Sequence, residues 1–289
     1  METKSLPEWT DGLVAYKMTG SGNDFVLVDG RIAPPDRWDS AAIQAVCDRH
    51  LGVGADGLVI LEPGTGPGKV RFHFFNQDGS RGAMCGNAAL CATRLSAQLE
   101  LAPPTAMVLE TDAGPVGSRC LLGDEQRAEL ELPPPSAIAT PKIPLEAGER
   151  SIRLVTVGVP HLVVQVDALR VANLMDRGRA LRSHPGCGAG GANVNFIGPG
   201  ASGGWSMRTF ERGVEGETLA CGTGAVAAAA VLRQMSKVDL PLDIRTASDR
   251  TLTVSAQVTR DGILQRPRLA GEGRLVFQAT LGAQLDLQG

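Results

Sequence analysis

Residues 84–95 read MCGNAALCATRL and residues 220–232 read ACGTGAVAAAAVL. Each stretch sets a cysteine directly before a glycine and then enters an alanine-rich run with helical spacing. One chain therefore carries the same arrangement twice. Cys221 lies 136 residues beyond Cys85, and the same offset sets Gly86 on Gly222, Met84 on Ala220 and Phe74 on Phe210. Upstream it sets Gly22 on Gly158 and Gly54 on Gly190, and the apolar run FVLV (25–28) overlies HLVV (161–164). Three separated blocks at one offset predict two copies of one domain.

Within each copy, short β-branched runs alternate with turn residues. VRFHFFN, AMVLETDAG and AELELP in the first copy, and SIRLVTVG, ANVNFIG and LTVSAQVT in the second, read as strands. Helical spacing is rarer: SAAIQAVCDRH, with Ser40 as its N-cap, and the two runs that follow Cys85 and Cys221. Each copy is therefore expected to be an α+β domain, mostly sheet around two helices. The segment PPPSAIATPKIPLEAGE from Pro133 reads as a linker, placing the domains at 1–140 and 141–289, with the last strand a candidate to pack on the first domain.

Composition bounds the function. With 43% hydrophobic and 20% charged residues, the chain of 289 can bury two ordinary cores. A formal net charge of -3 with scattered lysines and arginines supplies no footprint for nucleic acid. The amino terminus METKSLPEWTDGL lacks the apolar centre of a signal peptide, and no apolar run reaches the roughly 20 residues of a membrane helix, so a cytoplasmic protein is expected. Without a secretory signal, the six cysteines read as reduced thiols. No pair is spaced CxxC, and there is no Walker loop, no GxGxxG after a strand and no HExxH, so neither a metal nor a cofactor is expected. Cys47, Cys91 and Cys120 lie in apolar patterns and read as small core residues; Cys187 lies in a loop. The glycine-rich GPGASGGW and PGTGPG read as turns.

Cys85 and Cys221 are different. A helix N-terminus exposes backbone N–H groups and a partial positive charge, which bind anions and favour a thiolate. Gly86 and Gly222 let a ligand approach the backbone, and Asn87 and Thr223 follow with polar side chains, an arrangement suited to a carboxylate. If a pseudo-twofold axis relates the copies, both helix starts address one ligand with a cysteine on either side. Inverting a stereocentre next to a carboxylate needs such a pair, one thiolate and one thiol. At the offset of 136, Asn76 meets Arg212, and Glu211 stands beside it. An arginine fork for a second carboxylate and a glutamate for an ammonium imply a substrate with a second amino-acid-like end.

The motifs MTGSGNDFVLVD, GVGADG, FNQDGSRGAMCGNAA, GVPH, ANVNF and FERGVEGETLACGTGA, in order along nearly the whole chain, resemble diaminopimelate epimerase. The resemblance implies two pseudo-symmetric, duplicated domains, each a mostly antiparallel, barrel-like sheet around a central helix, with the active site in the cleft between them. It implies conversion of LL-2,6-diaminopimelate to the meso form, on the path to lysine and peptidoglycan, without pyridoxal phosphate or metal. Carried over by motif, Cys85 and Cys221 are the acid and base, and Gly86, Asn87, Gly222 and Thr223 cradle the reacting carboxylate. Asn23, Asn76, Asn193, Glu211 and Arg212 hold the rest of the substrate, and His161 and Glu211 tune the cysteine pKa values. Two positions depart from the family pattern: Val159 stands where many members have asparagine, and Gly57 where some have glutamine. Other readings stay open beside this one, namely a racemase of another amino acid such as histidine, and a non-catalytic or redox thiol protein that binds an amino acid. The sequence leaves a homodimer open as well.

Overall fold

The structure is a computed structural model that describes residues 6–169, 174–201 and 203–282; the start of the amino terminus and Ser202 of the GPGASGGW turn lie outside the described residues. Along the first half run β1 (Val14–Gly20), β2 (Asn23–Asp29), α1 (Ser40–Cys47), β3 (Gly57–Pro63), β4 (Lys69–Asn76), β5 (Arg81–Gly82), α2 (Gly86–Gln98), β6 (Met107–Thr111), β7 (Gly114–Cys120) and β8 (Arg127–Glu131). The second half repeats the series with β9 (Glu149–Val157), β10 (Val159–Val166), α3 (Leu174–Arg182), β11 (Asn193–Pro199), β12 (Trp205–Glu211), β13 (Gly216–Thr218), α4 (Gly222–Ser236), β14 (Leu242–Arg245), β15 (Thr251–Val258) and β16 (Leu264–Glu272); β17 (Arg274–Thr280) follows.

Residues 6–130 and 272–282 form one compact unit and residues 131–271 the other. In the first, β1 and β2 are antiparallel, β2 and β3 parallel, β3 and β4 antiparallel, β4 also pairs β5 antiparallel and β6 parallel, and β6, β7 and β8 close the series antiparallel. In the second, β9 to β16 repeat every one of those pairings in the same sense. The mostly antiparallel, duplicated α+β architecture is therefore present down to ladder direction.

The chain leaves the first unit at Leu130, ahead of the proline segment. That segment is no free tether: Ser136 and Ala139 donate their amides to the carbonyls of Thr156 and Leu154 on β9, tying it to the second unit. The last strand goes the other way, because β17 pairs antiparallel with β1. Helix α1 starts one residue earlier than the sequence suggests. Its N-cap is Asp39, whose carboxylate accepts the Ala42 amide at 2.8 Å, rather than Ser40.

The two central helices explain the alanines. In α4 every residue from Gly224 to Leu232 is buried, so over that span the helix has no polar stripe and lies inside its unit, and only its last turn, Gln234 to Ser236, is exposed. Helix α2 is nearly as enclosed and touches β1, β2, β3, β4, β6, β7 and β17, which means the sheet curls around it. Small side chains let the strands approach from all sides. One close approach is at Gly20, where a Cβ would stand 2.3 Å from the carbonyl oxygen of Asn87 in the first turn of α2.

Sheet register corrects one part of the sequence alignment. In the parallel ladders the offset holds, since Phe25 pairs with Gly57 and His161 with Asn193, each 136 residues on. Leu58, however, pairs with Phe75, whereas Val194, 136 residues beyond Leu58, pairs with Phe210, which is 135 beyond Phe75. Packing agrees: Phe75 joins the core cluster beside α1 and Phe210 the cluster beside α3. The slip arises in the hairpin turn before β12, where Pro199 pairs with Trp205 but Pro63 pairs with Val70, and the following turn restores the offset. The Gly79 amide reaches back to the Asn76 carbonyl, but the corresponding bond in the second unit runs from Glu215 to Glu211, one residue longer. Phe210 is thus the counterpart of Phe75, not of Phe74. Asn76 corresponds to Glu211, and Arg212 opens the longer turn.

Gly20→Ala pushes a Cβ into backbone that cannot rotate away. Thermal denaturation should show a loss of about 1–3 kcal/mol, and an unchanged Tm would mean that β1 does not seat the first turn of α2.

Candidate active site

Both cysteines take the position expected of them. Cys85 is the N-cap of α2 with φ −133° and ψ 120°, Cys221 the N-cap of α4 with φ −132° and ψ 109°, and neither helix has a side-chain cap bond. The helical ladders begin at Ala89, donating to the Cys85 carbonyl at 2.9 Å, and at Ala225, donating to Cys221 at 3.0 Å. The preceding amides lie ahead of the ladder and carry the positive end of the helix dipole. A Cβ built on Gly86 meets nothing within 4 Å, so space lies open before α2. Cys85 is half-buried and Cys221 buried, with its Sγ 3.8 Å from the Thr223 hydroxyl.

In the first unit a chain of hydrogen bonds orders the polar residues near Cys85. Asn87 donates its side-chain amide to Asn23 Oδ1 at 2.9 Å, and Asn23 Nδ2 donates to Asp56 at 2.9 Å. Asp56 is held by Arg49 at 2.7 Å, and Arg49 also pairs with Asp24 at 2.7 Å. Lys17 completes the cluster, 2.6 Å from Asp24 and bonded to the Gly54 carbonyl. Burial alone would push the Asp24 carboxyl up, but hydrogen bonds from Arg49 and Lys17, with their charges, bring it down to about 2. Asn76, by contrast, is exposed and donates to Ser80 at 2.9 Å.

In the second unit three adjacent strands supply the side chains. His161 on β10 lies beside Asn193 on β11, and Asn195 two residues on lies beside Thr209 on β12, so all four project from one face together with Glu211. His161 is fully buried; burial first, and the charge of Arg212 second, lower its pKa to about 3, so the ring is neutral. Burial raises the pKa of Glu211, with the Thr218 hydroxyl acting in the opposite sense. Asn193 accepts the backbone amide of Arg212 at 2.8 Å, and the Arg212 guanidinium reaches the Gly190 carbonyl at 3.3 Å. Among the described residues no carboxylate pairs with Arg212, which suits a fork kept for a ligand. The remaining cysteines are inert by burial: the Cys47 thiol is pushed up to about 12, and Cys91, Cys120 and Cys187 are raised for the same reason.

The register also explains Gly57. A Cβ there would lie 2.5 Å from the Phe75 carbonyl oxygen and 2.8 Å from the Phe74 ring, so the ring fills the space a side chain would need. Val159 opens β10 directly after the Gly158 turn and pairs with Val157, with no polar group to offer a ligand. Sequence reasoning passed over the Lys17, Asp24, Arg49 and Asp56 cluster, and over Asn195 and Thr209. A signal existed for Asn195, which the constant offset sets on Val59, whereas Thr209 falls on His73 by that offset and matches Phe74 only in the strand register.

The profile of the diaminopimelate epimerase family matches residues 15–128 and 153–262, one stretch in each half of the chain. Over 272 residues the chain is 44% identical to the diaminopimelate epimerase of Gemmatimonas aurantiaca, covering 92% of this chain and 98% of that one. The chain belongs to the diaminopimelate epimerase family. A further member, from Aquifex aeolicus, is 35% identical over 281 residues, covering 93% of this chain and 98% of its own. Among solved structures, a phenazine biosynthesis protein of the PhzF family from Bacillus anthracis superposes with a TM-score of 0.69 at 14% identity, covering 92% of this chain and 98% of that one. A hydroxyproline epimerase from Agrobacterium vitis, with bound trans-4-hydroxy-L-proline, gives 0.64 at 19%, covering 96% and 94%. At such identities what this diaminopimelate epimerase family member shares with both is the fold.

The Asp24 cluster makes stability near Cys85 depend on acid. A carboxyl with a lowered pKa adds stability that is complete above its unfolded value of 3.8 and is lost as pH falls through about 2. Denaturation measured across that window should show the loss in the wild type and a flatter profile in Asp24→Asn; parallel profiles would remove Asp24 from the linkage.

Proposed function

We propose that this protein is a cofactor-independent isomerase that converts LL-2,6-diaminopimelate to meso-diaminopimelate, serving lysine and peptidoglycan synthesis. What carries the reading is the matched pair of cysteine–glycine helix starts, two thiols in the same backbone conformation at uncapped N-termini, in a member of this family. One cysteine, as thiolate, takes the α-proton, and the electron pair passes into the adjacent carboxylate. The other, as thiol, returns a proton to the opposite face, leaving the roles of the two exchanged. Each cycle conserves protons and electrons.

The α-proton of an amino acid is a very weak acid, so charge developing on the carboxylate needs oriented dipoles. Gly86 and Asn87 in α2, and Gly222 and Thr223 in α4, are assigned to it. Asn23, positioned between Asp56 and Asn87, and Asn76, Asn193, Glu211 and Arg212 are assigned to the rest of the substrate. Arg212, lacking a carboxylate partner among the described residues, suits the distal carboxylate. His161 and Glu211, one held neutral and the other shifted toward its neutral form by burial, are assigned to the proton balance of the cysteines. The partner is a small amino acid, and the net charge of -3 argues against nucleic acid.

No described helix is long and apolar enough to cross a membrane. Six free cysteines agree with a reducing cytoplasm. A homodimer is proposed as well, because Leu275, Val276 and Phe277 on β17 are exposed large hydrophobics.

Cys85→Ala and Cys221→Ala should each abolish conversion, since one thiol cannot serve both faces. A chiral assay of diaminopimelate isomers reads this directly, and full turnover by either variant overturns the two-base assignment. Wild-type protein inactive on diaminopimelate but active on another amino acid would transfer the chemistry to that substrate.

A further inference from the structure

The matched ladders show that the strands beneath the two central helices carry opposite materials. Beneath α2, the face of β2, β3 and β4 carries Phe25, Val59 and Phe74, with the rings of Phe25 and Phe74 edge to face at 6.1 Å. Beneath α4, the corresponding places on β10, β11 and β12 hold His161, Asn195 and Thr209. An apolar cluster has become a buried polar chain. The helix has adjusted to it, because Gly224 replaces Ala88, and a Cβ on Gly224 would stand 2.2 Å from Asn195 Oδ1 and 3.1 Å from Cys221 Sγ. Asn195 and the Cys221 sulfur therefore adjoin the same residue.

Hydrogen bonding fixes which way the chain runs. Asn195 Nδ2 lies 3.4 Å from the Leu162 carbonyl, which can only accept, and 3.1 Å from His161 Nδ1. On the other side the Thr209 hydroxyl donates to Asn195 Oδ1 at 3.1 Å. With the amide nitrogen facing the ring, Nδ1 must accept, so the neutral imidazole carries its proton on Nε2. That Nε2 is buried and has no hydrogen-bond partner among the described residues. A buried donor left unmade is costly and is retained where something completes it.

We propose that Asn195 is a positioning residue: it locks His161 as the Nε2–H tautomer, so that a neutral, buried N–H in the unit that carries Cys221 is kept for an anionic oxygen of the bound substrate. The first unit offers only Phe25 at the matching place, so the two cysteines work in unlike surroundings and a substrate enters in one orientation. This deepens the assignment of Cys221 as a reacting thiol and rests on it.

Imidazole nitrogen NMR of histidine-labelled protein tests the lock in the free state, where no turnover is needed. The chain has four histidines, and His161 is assigned by its absence in His161→Gln. Wild type should show the Nε2–H tautomer. Asn195→Asp, which keeps the shape but presents an acceptor, should place the proton on Nδ1; Asn195→Val, the residue of the first unit, should leave a mixture. Both should lower kcat/KM by about tenfold or more, the worth of one hydrogen bond to a charged group. An Nδ1–H tautomer in the wild type overturns the proposal. So does an Asn195→Asp variant with the tautomer reversed and kcat/KM unchanged; should the Val variant fail to fold, this variant alone decides. Wild-type Nε2–H in a protein inert to diaminopimelate supports the lock and sinks the substrate assignment instead.

Discussion

The start of a helix enclosed by its own sheet is the constraint from which the rest follows. An α-helix leaves its first amides without partners inside the helix. At the starts of α2 and α4 the N-cap is a cysteine that makes no capping bond of its own. Serine, threonine, aspartate or asparagine there would take one of those amides for its own cap. Cysteine leaves the dipole available and adds a thiol at its positive end. Enclosure by a curled sheet holds each helix start in place, and that enclosure requires the alanine-rich composition and Gly20.

Duplication supplies two such starts, and divergence makes them unlike. The β-ladders are the same in both units, so residues at matching places can be compared without appeal to sequence similarity. On that comparison, Phe25, Val59 and Phe74 against His161, Asn195 and Thr209 is a change from a packed apolar cluster to a satisfied polar chain ending in one open donor. Buried polar chains of this kind are stabilising only when complete. In the role proposed for His161, leaving one end open trades stability for a contact with substrate. The first unit places its polar order elsewhere, in the Arg49, Asp56, Asn23 and Asn87 series.

Much of this was legible in the sequence. The repeated cysteine–glycine pair and the helical runs after it gave the duplicated α+β fold, because alanine-rich helices and β-branched strands differ in period. Helix α3 was not legible: LMDRGRALR places Gly178 at its centre and few apolar residues on its inner face, and only the ring of Phe210, 2.8 Å from a Cβ at Gly178, explains the glycine. The pairing of Asn76 with Arg212 failed because a gapless offset cannot register one residue lost in one turn and restored in the next. His161 was found through family likeness, whereas Asn195 was hidden in ANVNF, where a buried asparagine looks like any strand residue until the other copy shows valine there.

The central claim is that two different thiols handle the departing and arriving protons. The most direct measurement is the early reaction of reduced protein with LL-diaminopimelate in D₂O, with α-deuterium determined separately in the meso product and in recovered substrate by mass spectrometry. Two-base chemistry predicts deuterium in the product from the first turnovers and substrate that stays protiated, because the captured proton is not the one returned. Deuterium entering recovered substrate as fast as product, or product that retains the original proton, would contradict it.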